Sequence, residues 1–325
     1  MGHNIDNVLV QWGDRLFYPS NRIVRADPPP KLLARATAIR QRIAAVVRRA
    51  PQVIVKVTGG GRGMGAITDH LRYITNAGSL EFEDDRGTVR EGKEALRDLA
   101  DGWRYSGRFI SEVETRREAV NILLAMRSGT DAELVRKAVR DFAKIELAGH
   151  RYVMVLHKHQ TSPHVHLCVK RESIIGQRLS CGPPDVKRWR QTFAERLQGW
   201  GIDADATGQA VRGATRNFDT LWRMKAKDEG RLRTAIRPIK SGPAVEQSRA
   251  QAMKCWGQIL KALGESELEE DRQLAPRVVD FICRTPYIRE VIRKHPESMR
   301  EIMRHLETEQ QSVVGHGRSG PEWGR

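Results

Sequence analysis

Cysteine is scarce in this chain, and long apolar segments are missing from it. Its four cysteines are scattered over 325 residues without a CxxC pair, so we expect neither a disulfide framework nor a cysteine-rich zinc site. No apolar run approaches the roughly 20 residues that span a bilayer, and the N-terminus lacks the pattern of a signal peptide. The sequence therefore predicts a cytoplasmic protein without membrane insertion.

Acidic residues are in the minority, since 40 Asp and Glu stand against 56 Lys and Arg. The formal charge is +16, while 39% of the residues are hydrophobic. A globular chain with this excess of cations favours nucleic acid or an anionic membrane surface as its partner, although charge alone gives no sequence preference. The length predicts two compact domains, or one large domain with an appendage.

Composition and periodicity divide the chain into five segments. These are a basic N-terminal helical extension (1–50), a unit of alternating strands and helices (51–205), a basic linker (206–244), a smaller all-α C-terminal domain (245–310) and a disordered tail (311–325). The basic face of the first segment could lie on a phosphate backbone, or it could be the solvated side of a helix that packs by its apolar side.

The second segment has the order strand, helix, strand, helix, strand, strand, helix. It begins with a β-branched strand (53–57), a Gly-rich turn and a helix that ends near Asn76 and Gly78. A charged loop is expected at 81–94, and a closing helix at 185–200. This order predicts an α+β fold, with a largely antiparallel sheet flanked by helices.

Four histidines lie around one predicted hairpin, in YVMVLHKHQTSPHVHLCVKRE. With residues 160–163 as its loop, His159 pairs with His164 and His157 pairs with His166. Opposed residues project from the same side of a sheet, so the four imidazoles converge on one patch. A lone HxH is more often an exposed strand, but paired strands carrying this set favour a divalent metal site, because imidazole is a common metal ligand.

A metal-bound phosphodiester would need a nucleophile, and Tyr73 is a candidate. It lies in a helix directly after the Gly-rich turn, and a phenol oxygen can attack a phosphate to give a phosphotyrosine. The alternative is an ordinary aromatic residue with its ring in the core of an amphipathic helix. Spacing alone leaves both readings open.

Two motifs together resemble those of a known family. HLRYITNAGSLEF is similar to the first motif, and HKHQTSPHVHLCVKRE to the third motif, of conjugative relaxases of the P mobilisation class, which include the T-DNA border endonuclease. The segment between them resembles the family's linking strand, GTD turn and helix. The resemblance runs roughly over residues 53–200.

The resemblance implies a HUH-type nuclease fold for residues 51–205, and a metal-dependent DNA nickase. Tyr73 occupies the position of the family's nucleophile, and His157, His164 and His166 occupy its metal-ligand positions, with Mg²⁺ or Mn²⁺ as the expected ion. The implied activity is nicking of single-stranded DNA at a transfer origin, with a 5′-phosphotyrosine intermediate and a free 3′-hydroxyl. The implied partners are accessory relaxosome proteins and a type IV secretion coupling protein in the bacterial cytoplasm.

Two positions depart from the family's pattern. His159 stands where the family often has Asp, so the charge that would orient a metal ligand is absent or supplied elsewhere, with His159 itself as a possible contact behind the ligands. Ala125 stands where the second motif often has Ser. His70, one helical turn before Tyr73, could lie near the phenol or on the helix surface.

Several basic and aromatic residues are candidates for contacts with DNA. Tyr105 and Trp103 could stack on bases, although Trp103 could equally belong to the core. The candidate phosphate contacts are Arg62, Lys170, Arg171, Arg188 and Arg190.

Two other functions fit part of the sequence. A rolling-circle replication initiator or transposase would share the chemistry, although the absence of a second Tyr in the ITNAG helix disfavours initiators with two nucleophiles. A basic DNA-binding protein with a structural metal site would bind DNA without cutting it.

Overall fold

The computed structural model of the chain describes residues 5–18, 29–158, 162–215, 230 and 242–294. The chain divides into two compact units, which we call the sheet unit (residues 50–206) and the helical unit (residues 1–49 and 207–325). Most of the predicted linker and all of the predicted tail lie outside the described residues.

The sheet unit contains a six-stranded sheet in which every pairing between neighbouring strands is antiparallel. Its strands are β1 (Ile54–Gly59), β2 (Phe82–Asp84), β3 (Val89–Arg90), β4 (Ala119–Ala125), β5 (Tyr152–His157) and β6 (His164–Lys170), in the spatial order β1-β4-β6-β5-β2-β3. The predicted α+β class with an antiparallel sheet is confirmed.

The described α-helices belong to both units. They are α1 (Ile5–Phe17), α2 (Pro29–Val47), α3 (Met64–Ile74), α4 (Lys93–Tyr105), α5 (Ala132–Glu146), α6 (Pro183–Gly199), α7 (Pro243–Gly264), α8 (Glu269–Cys283) and α9 (Pro286–Lys294). No helix in the described part of the chain has an apolar stretch long enough to cross a bilayer.

Helices cover both faces of the sheet. All seven residues of β4 are buried, as expected for a central strand with a helix layer on either side. Val165, Leu167 and Val169 pack with α5 and α6, whereas Val155 and Cys168 pack with α3 and α4. Because side chains alternate along β5 and β6, the odd-numbered residues of β5 share a face with the even-numbered residues of β6.

Local signals explain where α5 begins and which side it buries. The Asp131 carboxylate accepts hydrogen bonds from the amides of Glu133 and Leu134, at 2.8 and 2.9 Å, and such an N-cap contributes about 1 kcal/mol. Val135 and Phe142 then recur on one side of the helix and are fully buried against the sheet.

The expected loop at 81–94 is wrong, because this segment contains β2, β3 and the start of α4. The buried Glu83 of β2 accepts two hydrogen bonds from Arg140 of α5, at 2.5 and 2.7 Å. This bidentate pair and the pairing of β2 with β5 hold a strand of only three residues in the sheet.

The helical unit has its own core. The N-terminal helix α1 packs against α2 and α7. Trp256 of α7 is fully buried, and Arg40 of α2 makes hydrogen bonds to the buried Asp271 of α8 at 2.7 and 2.8 Å. Chain segments from the two ends of the sequence therefore share one apolar core.

Candidate metal centre and active site

The histidine hairpin has a different register from the predicted one. His157 pairs with His164, and His166 pairs with Val155, so the connection runs over residues 158–163 instead of four residues. The shift is two residues, and a shift of two leaves every side chain on its original face. The predicted convergence of His157, His164 and His166 therefore survives the wrong register.

These three histidines form a compact cluster on the α3 and α4 side of the sheet. The ring centroids lie 5.0 Å apart for His157 and His164, 4.6 Å for His157 and His166, and 5.2 Å for His164 and His166. One ring nitrogen from each lies within 4.8 Å of one from each of the other two. His157 and His164 are buried, and His166 is half-buried.

Backbone carbonyls determine which ring nitrogen two of the histidines offer. A carbonyl oxygen can only accept, so His157 donates from Nε2 to Ile74, at 2.7 Å, and His164 donates from Nδ1 to Ser162, at 3.0 Å. In the neutral rings, the lone pair then lies on Nδ1 of His157 and on Nε2 of His164. Metal-binding histidines commonly donate a hydrogen bond from their second ring nitrogen in this way.

The third histidine is held in its neutral form. Burial, with a smaller contribution from charge repulsion by His157 and His164, lowers the pKa of His166 to about 3. At neutral pH its ring therefore carries a lone pair that is available to a cation without the loss of a proton. Three imidazoles this close together are a donor set that fits a divalent transition metal.

Tyr73 lies beside this cluster at the end of α3. Its side chain is 73% exposed, and its ring is 6.4 Å from that of His166 and nearly perpendicular to it. The carbonyl of Ile74, the next residue, accepts the hydrogen bond from His157. One hydrogen bond thus ties the helix that carries Tyr73 to a candidate metal ligand.

The same turn of α3 brings His70 close to Tyr73. The two rings are 6.3 Å apart, and His70 is half-buried with a lowered pKa, because burial disfavours its charged form. Of the two positions that the sequence left open for His70, the one near the phenol agrees with the structure. The helix ends directly after this turn, where Asn76, Ala77 and Gly78 take positive φ angles.

Lys170 and Arg171 are at the wrong end of β6 for a contact at the cluster. Lys170 lies six residues beyond His164, which is roughly 20 Å along a strand. It is 5% exposed, and its ammonium donates to the carbonyls of Trp103, at 3.1 Å, and Ser106. The phosphate contact of Lys170 stays a prediction, although this cation is buried and already bonded to two carbonyls.

The other candidate phosphate contacts also lie away from the histidines. Arg188 and Arg190 are on α6, which covers the opposite face of the sheet, and Arg188 is paired with Glu146 at 2.9 Å. Arg62 is exposed, but it precedes α3, whereas Tyr73 is near the end of that helix, roughly 15 Å away. None of these arginines is brought to the cluster.

The remaining sequence candidates divide between the core and the surface. Trp103 is 1% exposed and belongs to the core, whereas Tyr105 is 70% exposed with its ring 5.8 Å from that of Phe109. His159 lies outside the described residues. Ala125 is buried and pairs with His164, which places the departure from the family's second motif directly beside the cluster.

The glycines of the turn before α3 are required by packing. A side chain at Gly60 would put its Cβ 2.2 Å from the carbonyl oxygen of Ala119. At Gly63, where φ is +86°, a Cβ would lie 2.3 Å from the carbonyl oxygen of Glu112. Their small size therefore lets the turn lie directly against the backbone of Glu112 and Ala119.

Sequence reasoning missed the carbonyls of Ile74 and Ser162, which select the ring nitrogens of the cluster. Every residue has a carbonyl, so a sequence carries no signal for such a role.

Comparison with known proteins agrees with this geometry. Residues 73–202 match a family model described as "Relaxase: MobA/VirD2-like, nuclease domain". The matched range begins at Tyr73 and contains all three histidines of the cluster. No curated protein matches the chain. Residues 73–202 are therefore similar to the nuclease domain of MobA/VirD2-like relaxases.

Proposed function

We propose that this chain is a relaxase that nicks single-stranded DNA at a transfer origin through Tyr73, for conjugative transfer or plasmid mobilisation. The observation that carries the proposal is an exposed phenol 6.4 Å, between ring centroids, from His166 of a three-histidine cluster. The family match and the charge of +16 support DNA as the substrate.

The chemical step is a transesterification at one phosphate. The Tyr73 oxygen attacks phosphorus, a new bond from phosphorus to the phenol oxygen forms, and the bond to the 3′ oxygen breaks. The phenol gives up a proton and the leaving 3′ oxygen gains one, so the step balances without ATP. The products are a 5′-phosphotyrosine and a free 3′-hydroxyl, and the reverse reaction rejoins the strand.

His157, His164 and His166 are the proposed metal ligands, through Nδ1 for the first and Nε2 for the second. A divalent ion bound there would withdraw charge from the oxygens of the attacked phosphate. Mg²⁺ prefers oxygen ligands, whereas imidazole suits transition metals, so of the two expected ions this donor set favours Mn²⁺.

The position of Tyr73 makes it accessible to a large substrate. Because its side chain is 73% exposed, a DNA strand can reach the phenol without any rearrangement of α3. The hydrogen bond from His157 to the carbonyl of Ile74 keeps the end of α3 against the cluster, so the phenol and the ion would meet at one phosphate. We further propose that the reaction takes place in the cytoplasm, with accessory relaxosome proteins and a coupling protein as partners.

A covalent-capture assay tests the proposal. The full chain is incubated with Mn²⁺ and labelled single-stranded oligonucleotides that span candidate transfer origins, and then resolved on a denaturing gel. We expect a labelled protein band that Tyr73→Phe abolishes. Tyr105→Phe is the matched control, because it removes the same hydroxyl from another exposed tyrosine and should leave the band intact.

Two results would contradict the proposal. A band that persists in Tyr73→Phe would remove Tyr73 from the mechanism. Salt-sensitive binding without a band, for every oligonucleotide and metal, would favour a DNA-binding protein that does not cut.

A further inference from the structure

A small basic cleft opens between α3 and α4, beside Tyr73. Its volume is about 130 Å³. We call it the α3–α4 cleft, and it is lined by Thr68, Arg72, Ala77, Lys93, Leu96 and Arg97. No residue of the histidine cluster lines it, and no sequence motif pointed to it.

The cleft concentrates positive charge that few acidic groups neutralise. Arg72, Lys93 and Arg97 are all exposed. In the described part of the chain, no carboxylate lies within ion-pair distance of Lys93 or Arg97, and Arg72 has one weak pair with the exposed Asp69 at 3.6 Å. An exposed pair of this kind is weak, so a phosphate can displace it.

The backbone adds to this positive field. Lys93 is the first residue of α4, and its N-cap, Gly92, has no side chain to bond the free amides of the first turn. A helix N-terminus carries a partial positive charge and favours anions. Together with the three side-chain cations, it makes the cleft suited to a single phosphate group.

The geometry of the two helices places the cleft next to the nucleophile. Thr68 and Arg72 are four residues apart on α3, and Lys93 and Arg97 are four residues apart on α4, so each pair forms one ridge along its helix. Consecutive residues differ by about 100° around a helix, and Arg72 directly precedes Tyr73. A strand with one phosphate at Tyr73 can therefore reach the cleft with a nearby phosphate.

We propose that the α3–α4 cleft binds a backbone phosphate of single-stranded DNA that flanks the phosphate attacked by Tyr73. This inference rests on the proposed function, which supplies the strand and its position. Lys93, Arg97 and Arg72 supply the charge, and the hydroxyl of Thr68 supplies a hydrogen bond donor. Contacts of this kind fix the register of the strand and are independent of its base sequence.

The test measures the affinity of the full chain for an oligonucleotide by fluorescence anisotropy, in a Tyr73→Phe background that prevents cleavage. Lys93→Gln, Arg97→Gln and the double variant are compared over 50 to 200 mM salt. The matched control is Lys144→Gln on α5, an exposed lysine on the opposite side of the sheet. All of these positions are exposed, and unchanged melting temperatures confirm that each variant is folded.

Loss of the single phosphate contact should reduce the slope of log K against log salt by about 0.7, the contribution of one contact to a single strand. The advantage of the parent over the double variant should therefore shrink about 2.6-fold between 50 and 200 mM salt. Lys144→Gln should retain the parent slope.

A second measurement locates the phosphate. Single neutral methylphosphonates are placed at successive positions around the nick site. One position should weaken binding to the parent and have no effect on binding to the double variant, because the contact is already lost there.

The outcomes separate the cleft from the proposed function. The proposed role of the cleft would be overturned if the double variant and Lys144→Gln had equal slopes. It would also be overturned if methylphosphonates had equal effects on the parent and the double variant at every position. The absence of a covalent adduct with an intact Tyr73 would instead overturn the proposed function, whatever the slopes show. Failure of the parent to bind single-stranded DNA would overturn both.

Discussion

Metal binding at the histidine cluster should stabilise the sheet unit by an amount that can be worked out. A ligand that binds only the folded state stabilises it by RT ln(1 + [L]/Kd), which is about 2.7 kcal/mol at one hundred times Kd. For a domain of this size, 1 kcal/mol corresponds to about 2–4 °C, so Mn²⁺ should raise the melting temperature of this unit by about 5–11 °C.

The structure also sets the effect of removing one ligand. His164 presents Nε2 to the cluster because Nδ1 donates to a carbonyl, so His164→Ala removes a preorganised donor. If that costs 100-fold in affinity, the same metal concentration equals Kd and the stabilisation falls to about 0.4 kcal/mol. The melting temperature of His164→Ala should then rise by only about 1–2 °C.

Differential scanning calorimetry of the full chain, with Mn²⁺ and after chelation, measures both values. His150→Gln is the control, because His150 contacts the carbonyl of Lys170 at the other end of the sheet and should respond to metal like the parent protein. The metal site would be refuted if Mn²⁺ left the melting temperature of the parent protein unchanged, or if it raised the melting temperature of His164→Ala by the same amount.

Three other predictions follow from individual side chains. With metal chelated, the unfolded chain binds a proton at His166 below about pH 6.5, whereas the folded chain does so only below about pH 3. The free energy of unfolding should therefore decrease by up to about 1.4 kcal/mol for each pH unit by which the pH falls in this range. The variant His166→Gln should show a smaller decrease in acid denaturation curves. Lys170→Met should lower the free energy of unfolding in urea by about 1–3 kcal/mol, because two carbonyls lose a charged donor. Its affinity for single-stranded DNA should stay within about twofold of the parent value. A large loss of affinity would show that Lys170 contacts DNA. Gly63→Ala should destabilise the protein by at least about 2 kcal/mol, because φ is positive there and the new Cβ would meet backbone atoms. Gly102→Ala, in open space within α4, should instead stabilise it by up to about 1 kcal/mol. Equal effects of the two variants in thermal unfolding would contradict the packing role of the turn.

The sequence predicts the long elements of the sheet unit well, because they carry strong periodic signals. Alternation in β5 and β6, and the buried stripe that includes Val135 and Phe142 on α5, follow from residue spacing alone. The strands β2 and β3 have three and two residues, which is too short for any period to be visible. Their structure depends on pairing with β5 and on the contact between Glu83 and Arg140, which are 57 positions apart.

The same contrast applies to the candidate site. His157, His164 and His166 can be placed together from sequence because the period of a strand is two, and an error of two in register does not change the face. Lys170 cannot be placed, because a lysine at a strand end looks the same whether it faces solvent or two carbonyls. The α3–α4 cleft joins residues from 68 to 97 across two helices, so only their packing reveals it.

The most direct test of the central claim is to identify the residue that becomes attached to DNA. The covalent product formed with Mn²⁺ would be digested with protease and nuclease, and its peptides would be sequenced by mass spectrometry. The account predicts a 5′-phosphorylated nucleotide on Tyr73, with a free 3′-hydroxyl on the other DNA fragment. Attachment at another residue, or cleavage products that carry no protein, would contradict it.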